Sequence, residues 1–110
     1  MRKIEQELCA AIVNRRPFSK GNTVFHRMPG TENGWELVLH GTVIASFDDG
    51  ADFFPIPTYV NLCGWPTKTT CSRLNALNGV RVNISGGTPY LNGKAIGSDG
   101  WYNPRTGNCY

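Results

Sequence analysis

Residues 35–47 constrain the fold more than any other stretch of the chain. Apolar residues alternate with mostly polar ones over residues 35–40, and the apolar run 43–47 follows Gly41-Thr42. Alternation puts one set of side chains on one face of a strand, and two such runs around a tight turn predict an antiparallel hairpin. Thirteen Gly and seven Pro, placed between short apolar runs, indicate that the rest of the body is also rich in turns and strands.

The N-terminal segment predicts an amphipathic helix over residues 2–15, because its apolar residues recur at helical spacing. Pro17 disfavours helical geometry in the preceding residue, so the helix is expected to end at Arg16. Arg15 and Arg16 then lie in the last turn, where their charges complement the negative end of the helix dipole.

A second, short helix is predicted over residues 67–78. Threonine hydroxyls at its start can cap the first amides, and Gly79 can take the left-handed conformation just past its end. Three apolar residues follow one another at intervals of three and are expected to face the core: Cys71, Leu74 and Leu77.

Further strand signals lie on both sides of this second helix. Residues 19–23 are expected to form a turn that leads into a short strand, and residues 58–62 should pair after a Pro-rich approach. Residues 80–85 alternate in polarity, Gly86-Gly87 can turn the chain, and residues 90–96 predict a second tight hairpin.

The predicted fold class is α+β, with an N-terminal helix packed on a mainly antiparallel sheet and a second short helix inserted between strands. The expected order of elements is α-β-β-β-α-β-β. All 110 residues are expected to form a single domain. Residues 97–110 form an irregular C-terminal tail, and its aromatic residues predict that at least part of the tail packs on the body.

Composition limits the class of partner and the compartment. The net charge of +3 is compatible with an acidic partner but is below the basicity of a dedicated nucleic-acid binder. The N-terminus has no uninterrupted apolar signal region, and no run of about 18 apolar residues occurs, so neither export nor a membrane span is expected. The four cysteines are then expected to be reduced, and their long, irregular spacing argues against a zinc site: Cys9, Cys63, Cys71 and Cys109.

Few residues could support catalysis. His26 lies on a predicted strand and His40 precedes a hairpin turn, where a solvated histidine is the ordinary explanation. The carboxylates at 48, 49 and 52 are typical of a solvated turn, and they supply too few ligands for a divalent cation. No nucleotide or phosphate fingerprint is present. We therefore expect no catalytic residue, no metal and no cofactor.

The second helix offers a candidate anion site. Threonine hydroxyls and free amides gather at its positive N-terminus, and its polar residues are expected to face solvent or a partner. Nucleic-acid binding would then use a basic and polar set: Thr67, Lys68, Thr69, Thr70, Arg73, Asn75, Arg81 and Lys94. The alternative is that the threonines only cap the helix and that Arg73 is a solvated or salt-bridged surface residue.

Aromatic residues in Pro- and Gly-rich segments offer a candidate protein-binding surface. Aromatic side chains beside an arginine are the usual anchors of a protein interface. The predicted partner-binding residues are Phe53, Phe54, Tyr59, Trp101, Tyr102 and Arg105. The alternative is that these rings cover the ends of a small core.

The chain also carries a family resemblance. The succession "PFSKGNT", "LHGTVIA", "GWPTKTTCSRLNAL" and "YLNGKAI" resembles a recurring family of small accessory proteins from tailed bacteriophages. The resemblance covers about residues 8–96, while the acidic, aromatic insert at 48–57 and the tail look particular to this chain. It implies a virus of bacteria and expression in the host bacterial cytoplasm, but it supplies no activity and no site residues.

The function expected from these observations is that of a small, non-enzymatic phage accessory protein. It would bind and inhibit or modulate a host protein or an antiviral-defence protein. Nucleic-acid binding by the helix at 67–78 is the alternative, and a structural role in the virion stays open. The sequence does not decide the oligomeric state.

Overall fold

The computed structural model describes residues 2–30, 34–48, 55–64 and 67–109. Helix α1 spans Lys3–Val13 and helix α2 spans Lys68–Asn75. Five strands precede α2: β1 (Phe18–Lys20), β2 (Thr23–Arg27), β3 (Gly34–Leu39), β4 (Thr42–Asp48) and β5 (Tyr59–Val60). Three strands follow it: β6 (Val82–Ser85), β7 (Thr88–Leu91) and β8 (Lys94–Ala95).

The strands form two antiparallel sheets. The first has the sequential order β1-β2-β3-β4-β5, and the second has the order β6-β7-β8. The predicted α+β class, with an N-terminal helix and a second helix between strands, is confirmed. The predicted number of strands was too low on both sides of α2. The extra strands are short, and strands of two or three residues give little periodicity to detect.

The turn predicted at residues 19–23 is shorter than expected, because part of this segment forms a strand. Residues 18–20 form β1, and Lys20 pairs with Thr23 across the short connection at Gly21-Asn22. Ser19 and Lys20 are exposed, so β1 is held by its backbone pairing and not by an apolar face. At the other edge, Thr58 and Asn61 donate backbone hydrogen bonds to β4, which confirms the pairing expected for residues 58–62.

The predicted hairpin of β3 and β4 is confirmed, with its turn one residue earlier than expected. His40 and Gly41 both have positive φ, of 52° and 77°, as a two-residue type I′ turn requires. The register shifts between Leu37 and Val38, so that Leu37 pairs with Ala45 and Val38 with Val43. This bulge lets the neighbouring residues Ile44 and Ala45 both reach the core, at 2% and 0% exposure.

The core lies between the helices and one face of the larger sheet. Phe25 stacks on Trp35 with ring centroids 4.8 Å apart and meets Phe47 edge-on at 5.6 Å. Leu8 from α1 and Leu74 from α2 complete the cluster and are fully buried. Each such side chain contributes roughly 1.5–3 kcal/mol by leaving water, so these contacts fix both helices on the sheet.

Helix α1 ends at Val13, two residues before the end of the predicted range 2–15 and three before Arg16. Arg15 has φ of 50°. Its amide donates to the carbonyl of Ile12, and the amide of Arg16 donates to the carbonyl of Ala11. These are the two hydrogen bonds of a Schellman motif. The Arg15 guanidinium also donates to the carbonyls of Ile12 and Val13, at 3.3 and 3.1 Å. Arg15 therefore compensates the helix terminus, as predicted, from just beyond the last turn.

Helix α2 begins as predicted and ends early. Thr67 accepts a hydrogen bond from the Thr70 amide at 3.1 Å and caps the first turn. The helix ends at Asn75, three residues before the predicted end, and Gly79 takes the expected left-handed conformation at φ 74°. Leu77 lies in the loop but stays buried, so the core-facing role predicted for it is confirmed. No helix of the described residues has the length and apolar character that a membrane span requires.

Candidate protein-binding surface

Arg73 lies in the interior of the protein. Its Nη1 donates to Glu5 Oε2 of α1 at 2.7 Å, and its Nε donates to Thr23 Oγ1 of β2 at 3.0 Å. Ser72 donates to the same Glu5 oxygen at 2.5 Å. The expectation that Arg73 faces solvent or a partner is therefore wrong. The side chain is only 6% exposed, and it joins α1, α2 and the sheet.

The charge state of Glu5 follows from these contacts. Burial by itself raises the pKa of the Glu5 carboxyl, but hydrogen bonds from Ser72 and Arg73, with a further one at Arg2, act in the opposite direction. The net effect holds the pKa of Glu5 below its ordinary value. The Glu5 carboxyl is thus ionised at neutral pH, and the Arg73 guanidinium is engaged with it instead of facing a phosphate.

Asn75 is also occupied within the fold, although its side chain is exposed. Its Nδ2 donates to the Val82 carbonyl at 2.9 Å, and its Oδ1 accepts from the Val82 amide at 2.6 Å. These bonds satisfy the outer edge of β6 as a neighbouring strand would. Asn75 is exposed, as expected for a residue that faces solvent or a partner, but both ends of its amide group are engaged with Val82.

The threonines at the start of α2 cap the helix, which was the alternative to an anion site. The hydroxyls of Thr67 and Thr70 lie 3.0 Å apart, and Thr70 is buried. Thr69 is half-buried and Lys68 is exposed at the first turn of the helix. The geometry of this N-terminus is that of a capped helix.

The other basic residues of the predicted nucleic-acid set lie away from this turn. Arg81 and Lys94 are exposed at one end of the smaller sheet, where the Arg81 carbonyl accepts from the Asn92 amide and Lys94 pairs with Leu91. Lys68 lies at the opposite end of α2 from the Asn75 contact with β6. The structure thus leaves three exposed cations of this set on separate elements.

The C-terminal tail, which contains three of the predicted protein-binding residues, pairs with the edge strand β5. Val60 of β5 and Tyr102 exchange two backbone hydrogen bonds, each of 2.9 Å. This antiparallel bridge places Tyr102 beside Val60 at the edge of the larger sheet, with Asn103 opposite Tyr59 and Trp101 opposite Asn61. The Tyr102 hydroxyl accepts from the Gly97 amide at 2.8 Å, so the tail is held on both sides of the bridge. The expected packing of the tail is confirmed.

The rings at this edge are only partly covered. Tyr59, Trp101 and Tyr102 are all half-buried. Tyr102 packs against the core, so for this ring the alternative role, covering the core, holds in part. Tyr59 pairs with Ser46 and lies on the outer face of the sheet, away from the core.

Arg105 lies at the tip of a closed turn in the tail. Its amide bonds to Asn103 Oδ1 at 2.8 Å, and the backbone of Asn103 bonds to Asn108 at 2.9 Å and to Gly107. Arg105 borders a cavity of about 170 Å³ formed with the chain that approaches β5. The other lining residues are Arg15, Asp48, Pro55, Ile56, Pro57, Thr58 and Asn103. We call the described residues Tyr59, Trp101, Tyr102 and Arg105 the tail surface.

Two of the predicted partner-binding residues, Phe53 and Phe54, lie outside the described residues. The same is true of the carboxylates Asp49 and Asp52. Asp48, the described member of that acidic cluster, is exposed at the end of β4.

The histidines and cysteines have ordinary structural contacts. His26 Nε2 lies 2.9 Å from Glu36 Oε1, and His40 Nε2 lies 3.1 Å from Asn22 Nδ2. The four thiols are not paired with one another. Within the described part of the chain, no group of three His, Cys, Asp or Glu residues could hold a metal ion. The reduced state of the cysteines stays a prediction.

One feature had no signal in the sequence. A cleft of about 960 Å³ opens between the C-terminal half of α1 and the loop that follows α2. Its apolar lining includes Ile12, Phe47, Leu77 and Val80, and Arg81 lies at its rim. We call it the helix cleft. It depends on how α1 packs against a loop distant in sequence, which no local pattern encodes.

A comparison with known protein families decides the family. The model of the Kyanoviridae Gp96 protein family matches residues 1–108. The chain belongs to this family. No curated protein and no solved structure matches it.

Membership of the Gp96 family confirms the expected origin in a bacteriophage protein family. The match reaches beyond residues 8–96 and includes nearly the whole tail. Trp101, Tyr102 and Arg105 therefore lie within the matched region, although the tail looked particular to this chain. The family description names no activity and no ligand, so a function for this chain has to rest on its own geometry.

Proposed function

We propose that this Gp96-family protein is a non-enzymatic phage accessory protein that binds and modulates a host or antiviral-defence protein through the tail surface. The observation that carries the proposal is the pair of 2.9 Å backbone bonds between Val60 and Tyr102. These bonds fix otherwise irregular chain to a sheet edge and present Trp101 and Tyr59 from a rigid backbone. Because a pre-ordered aromatic loses little conformational freedom on binding, such rings are effective interface anchors.

The composition of the tail surface supports a protein partner. Trp, Tyr and Arg are the residue types enriched among interface hot spots, and the surface contains all three. Its rings are half-buried, so part of each ring lies at the surface of the protein. Expression of a phage protein in the host cytoplasm would bring this surface into contact with host and defence proteins.

The non-enzymatic part of the proposal rests on the contacts of the candidate bases. His26 contacts a carboxylate and His40 contacts an amide, and neither contact includes a nucleophile. General-base catalysis needs a base within hydrogen-bond reach of the group it activates.

Nucleic-acid binding would have to use residues other than the two on α2 from which it was predicted. Arg73 and Asn75 were to contact phosphates and base edges, and both are engaged inside the fold. The exposed cations that remain from the predicted nucleic-acid set, Lys68, Arg81 and Lys94, lie on separate elements. The expected helix-based mode of binding therefore has little support.

Affinity capture from host lysate tests the proposal. The wild-type protein and the variants Trp101→Ala and Lys68→Ala would each be used as bait, with and without nuclease. We expect one host protein that is retained after nuclease treatment, retained by Lys68→Ala and lost with Trp101→Ala. Capture that disappears with nuclease, or that depends on Lys68 and not on Trp101, would contradict the proposal.

A further inference from the structure

The helix cleft is large for a protein of this size. Its volume of about 960 Å³ is at the upper end of the roughly 300–1,000 Å³ typical of ligand sites. The floor is formed by side chains of the core, among them Ile12, Phe47 and Val80, and the C-terminal half of α1 forms one wall. An occupant would therefore meet apolar surface along most of its length.

Uncharged polar side chains around the cleft already have partners. Cys9 Sγ donates to the Ala76 carbonyl at 3.1 Å, and Asn14 Nδ2 donates to the Ala10 carbonyl at 2.8 Å. Asn75 is engaged with Val82, and Asn92 Nδ2 donates to the Gly79 carbonyl at 2.9 Å. These amides and this thiol have few hydrogen bonds left to offer, which favours an apolar occupant over a strongly polar one.

The charge at the rim is positive. Arg81 is exposed. Among the described residues that line the cleft, Arg81 is the one charged residue, and none is an Asp or a Glu. An acidic group next to the apolar part of an occupant would complement it. The cleft also adjoins the tail surface, because Pro55 lines both the cleft and the small cavity beside Arg105.

We infer that the helix cleft binds a short apolar segment of the protein partner, with an acidic side chain of that segment paired to Arg81. This inference rests on the proposed function and adds the chemistry of the partner. A protein held on the tail surface could reach the cleft past Pro55, so the two sites would be parts of one interface.

A peptide titration followed by NMR tests the charge and the place of binding. The probes are N-acetyl-Leu-Leu-Glu amide and its Gln counterpart, added to methyl-labelled protein. We expect saturable shifts of the Ile12, Leu77 and Val80 methyl groups, with about threefold tighter binding of the Glu peptide, as a rim ion pair provides. Arg81→Gln should remove this preference, and Lys68→Gln, which changes the charge equally at the far end of α2, should retain it.

A second variant separates the cleft from general surface binding. Ala10 lines the cleft and is exposed, so Ala10→Phe adds bulk to the cleft wall without disturbing the core. We expect it to abolish the peptide-induced shifts in a folded protein. Absent shifts in the wild type, or equal binding of the two peptides, would overturn the inference. So would nuclear Overhauser contacts between the cleft methyls and residues 49–54, or a second copy of the chain in the cleft.

The captured host protein distinguishes this inference from the proposed function. Capture that depends on Trp101 but is unaffected by Ala10→Phe and Arg81→Gln would refute the role of the cleft and leave the proposed function standing. Peptide binding without any nuclease-resistant protein partner would refute the proposed function. Loss of the partner with Ala10→Phe, Arg81→Gln and Trp101→Ala alike is the expected result.

Discussion

Arg73 Nη1 lies 2.7 Å from Glu5 Oε2, and the two residues are 68 positions apart in the chain. Both side chains are almost fully buried, and Thr23 and Ser72 satisfy further hydrogen bonds of the pair. Removing one partner of a buried ion pair leaves an uncompensated charge, which costs far more than the loss of a surface pair. The contact between α1 and α2 is therefore sensitive to either residue.

We expect Glu5→Gln to lower the free energy of unfolding by about 3–5 kcal/mol at neutral pH, because Arg73 is left buried without a counter-charge. The folded-state pKa of Glu5 is lowered, so its stabilising contribution is present above the unfolded-state value of about 4.3 and is lost as pH falls through the folded-state pKa. The difference between wild type and variant should therefore shrink in acid. Urea denaturation from pH 7 down to pH 2.5 would measure it.

Glu7→Gln is the matched control for this prediction. Glu7 also forms an ion pair, with Lys20 at 2.9 Å, but this pair lies on the surface of the protein. Water screens such pairs, so the control should change stability much less at every pH. Equal losses of unfolding free energy for the two substitutions would show that the buried ion pair contributes no more stability than the surface pair.

Asn75→Ala should destabilise the protein by about 1–3 kcal/mol, because it leaves the amide and carbonyl of Val82 without partners. Asn83→Ala, on the exposed part of β6, should stay within about 0.5 kcal/mol of wild type. Chemical denaturation of both variants measures the difference. If Asn75→Ala were as mild as Asn83→Ala, water would be replacing the Asn75 amide at the strand edge.

The success and failure of the sequence predictions have physical reasons. The β3–β4 hairpin and the start of α2 were predictable, because alternation and capping are local patterns. The burial of Arg73 was not predictable, although Arg73 lies three residues after Thr70 and next to Leu74, the other two buried residues of α2. A charged residue is exposed by default unless it is paired, and its partner Glu5 lies on another helix. Burial of this kind depends on contacts that no local window contains.

In the candidate site too, local patterns were predictable from the sequence and contacts between distant segments were not. The aromatics of the tail predicted that the tail packs on the body, and Tyr102 does pack against the core. The pairing of Tyr102 with Val60 joins segments distant in sequence, and an isolated bridge has no periodicity. The helix cleft depends on the distance between α1 and the loop after α2, which follows only from the packed structure.

Gly79→Ala is expected to cost more than Gly41→Ala. Both glycines have positive φ, of 74° and 77°, so each alanine would pay about 1–2 kcal/mol for the left-handed backbone. A Cβ at Gly41 meets open space, whereas one at Gly79 lies 3.1 Å from three atoms of the Ile56 side chain. Thermal unfolding of the two variants should therefore place Gly79→Ala lower. Equal melting temperatures would mean that Ile56 moves away without cost.

The four cysteines should differ in reactivity in the native protein. Burial raises the pKa of the Cys9, Cys63 and Cys71 thiols, so little thiolate is present at neutral pH, whereas Cys109 is exposed. Titration with a disulfide reagent should show one fast thiol and three slow ones, and four after denaturation. Cys109→Ser should remove the fast phase. Fewer than four thiols in freshly alkylated lysate would contradict the reduced state.

The proposed interface predicts which substitutions weaken binding to the captured host protein. Trp101→Ala should lower affinity by about 2 kcal/mol, or roughly thirtyfold, because Trp at an interface centre buries a large apolar surface. Tyr59→Ala should act in the same direction. Trp101 is the better test than Tyr102, since Tyr102 packs against the core and its truncation would also loosen the tail.

The controls for this last prediction are the exposed cations. Lys68→Ala and Lys94→Ala should change affinity for the protein partner by far less than Trp101→Ala, since peripheral charges contribute little to affinity. Binding through phosphates would show the reverse order, and its affinity would fall steeply with salt as counterions are released. Calorimetry or surface plasmon resonance across salt concentrations separates the two patterns. Loss of binding that follows Lys68, Lys94 and salt, while Trp101→Ala and Tyr59→Ala bind as wild type, would replace the protein-binding function with nucleic-acid binding.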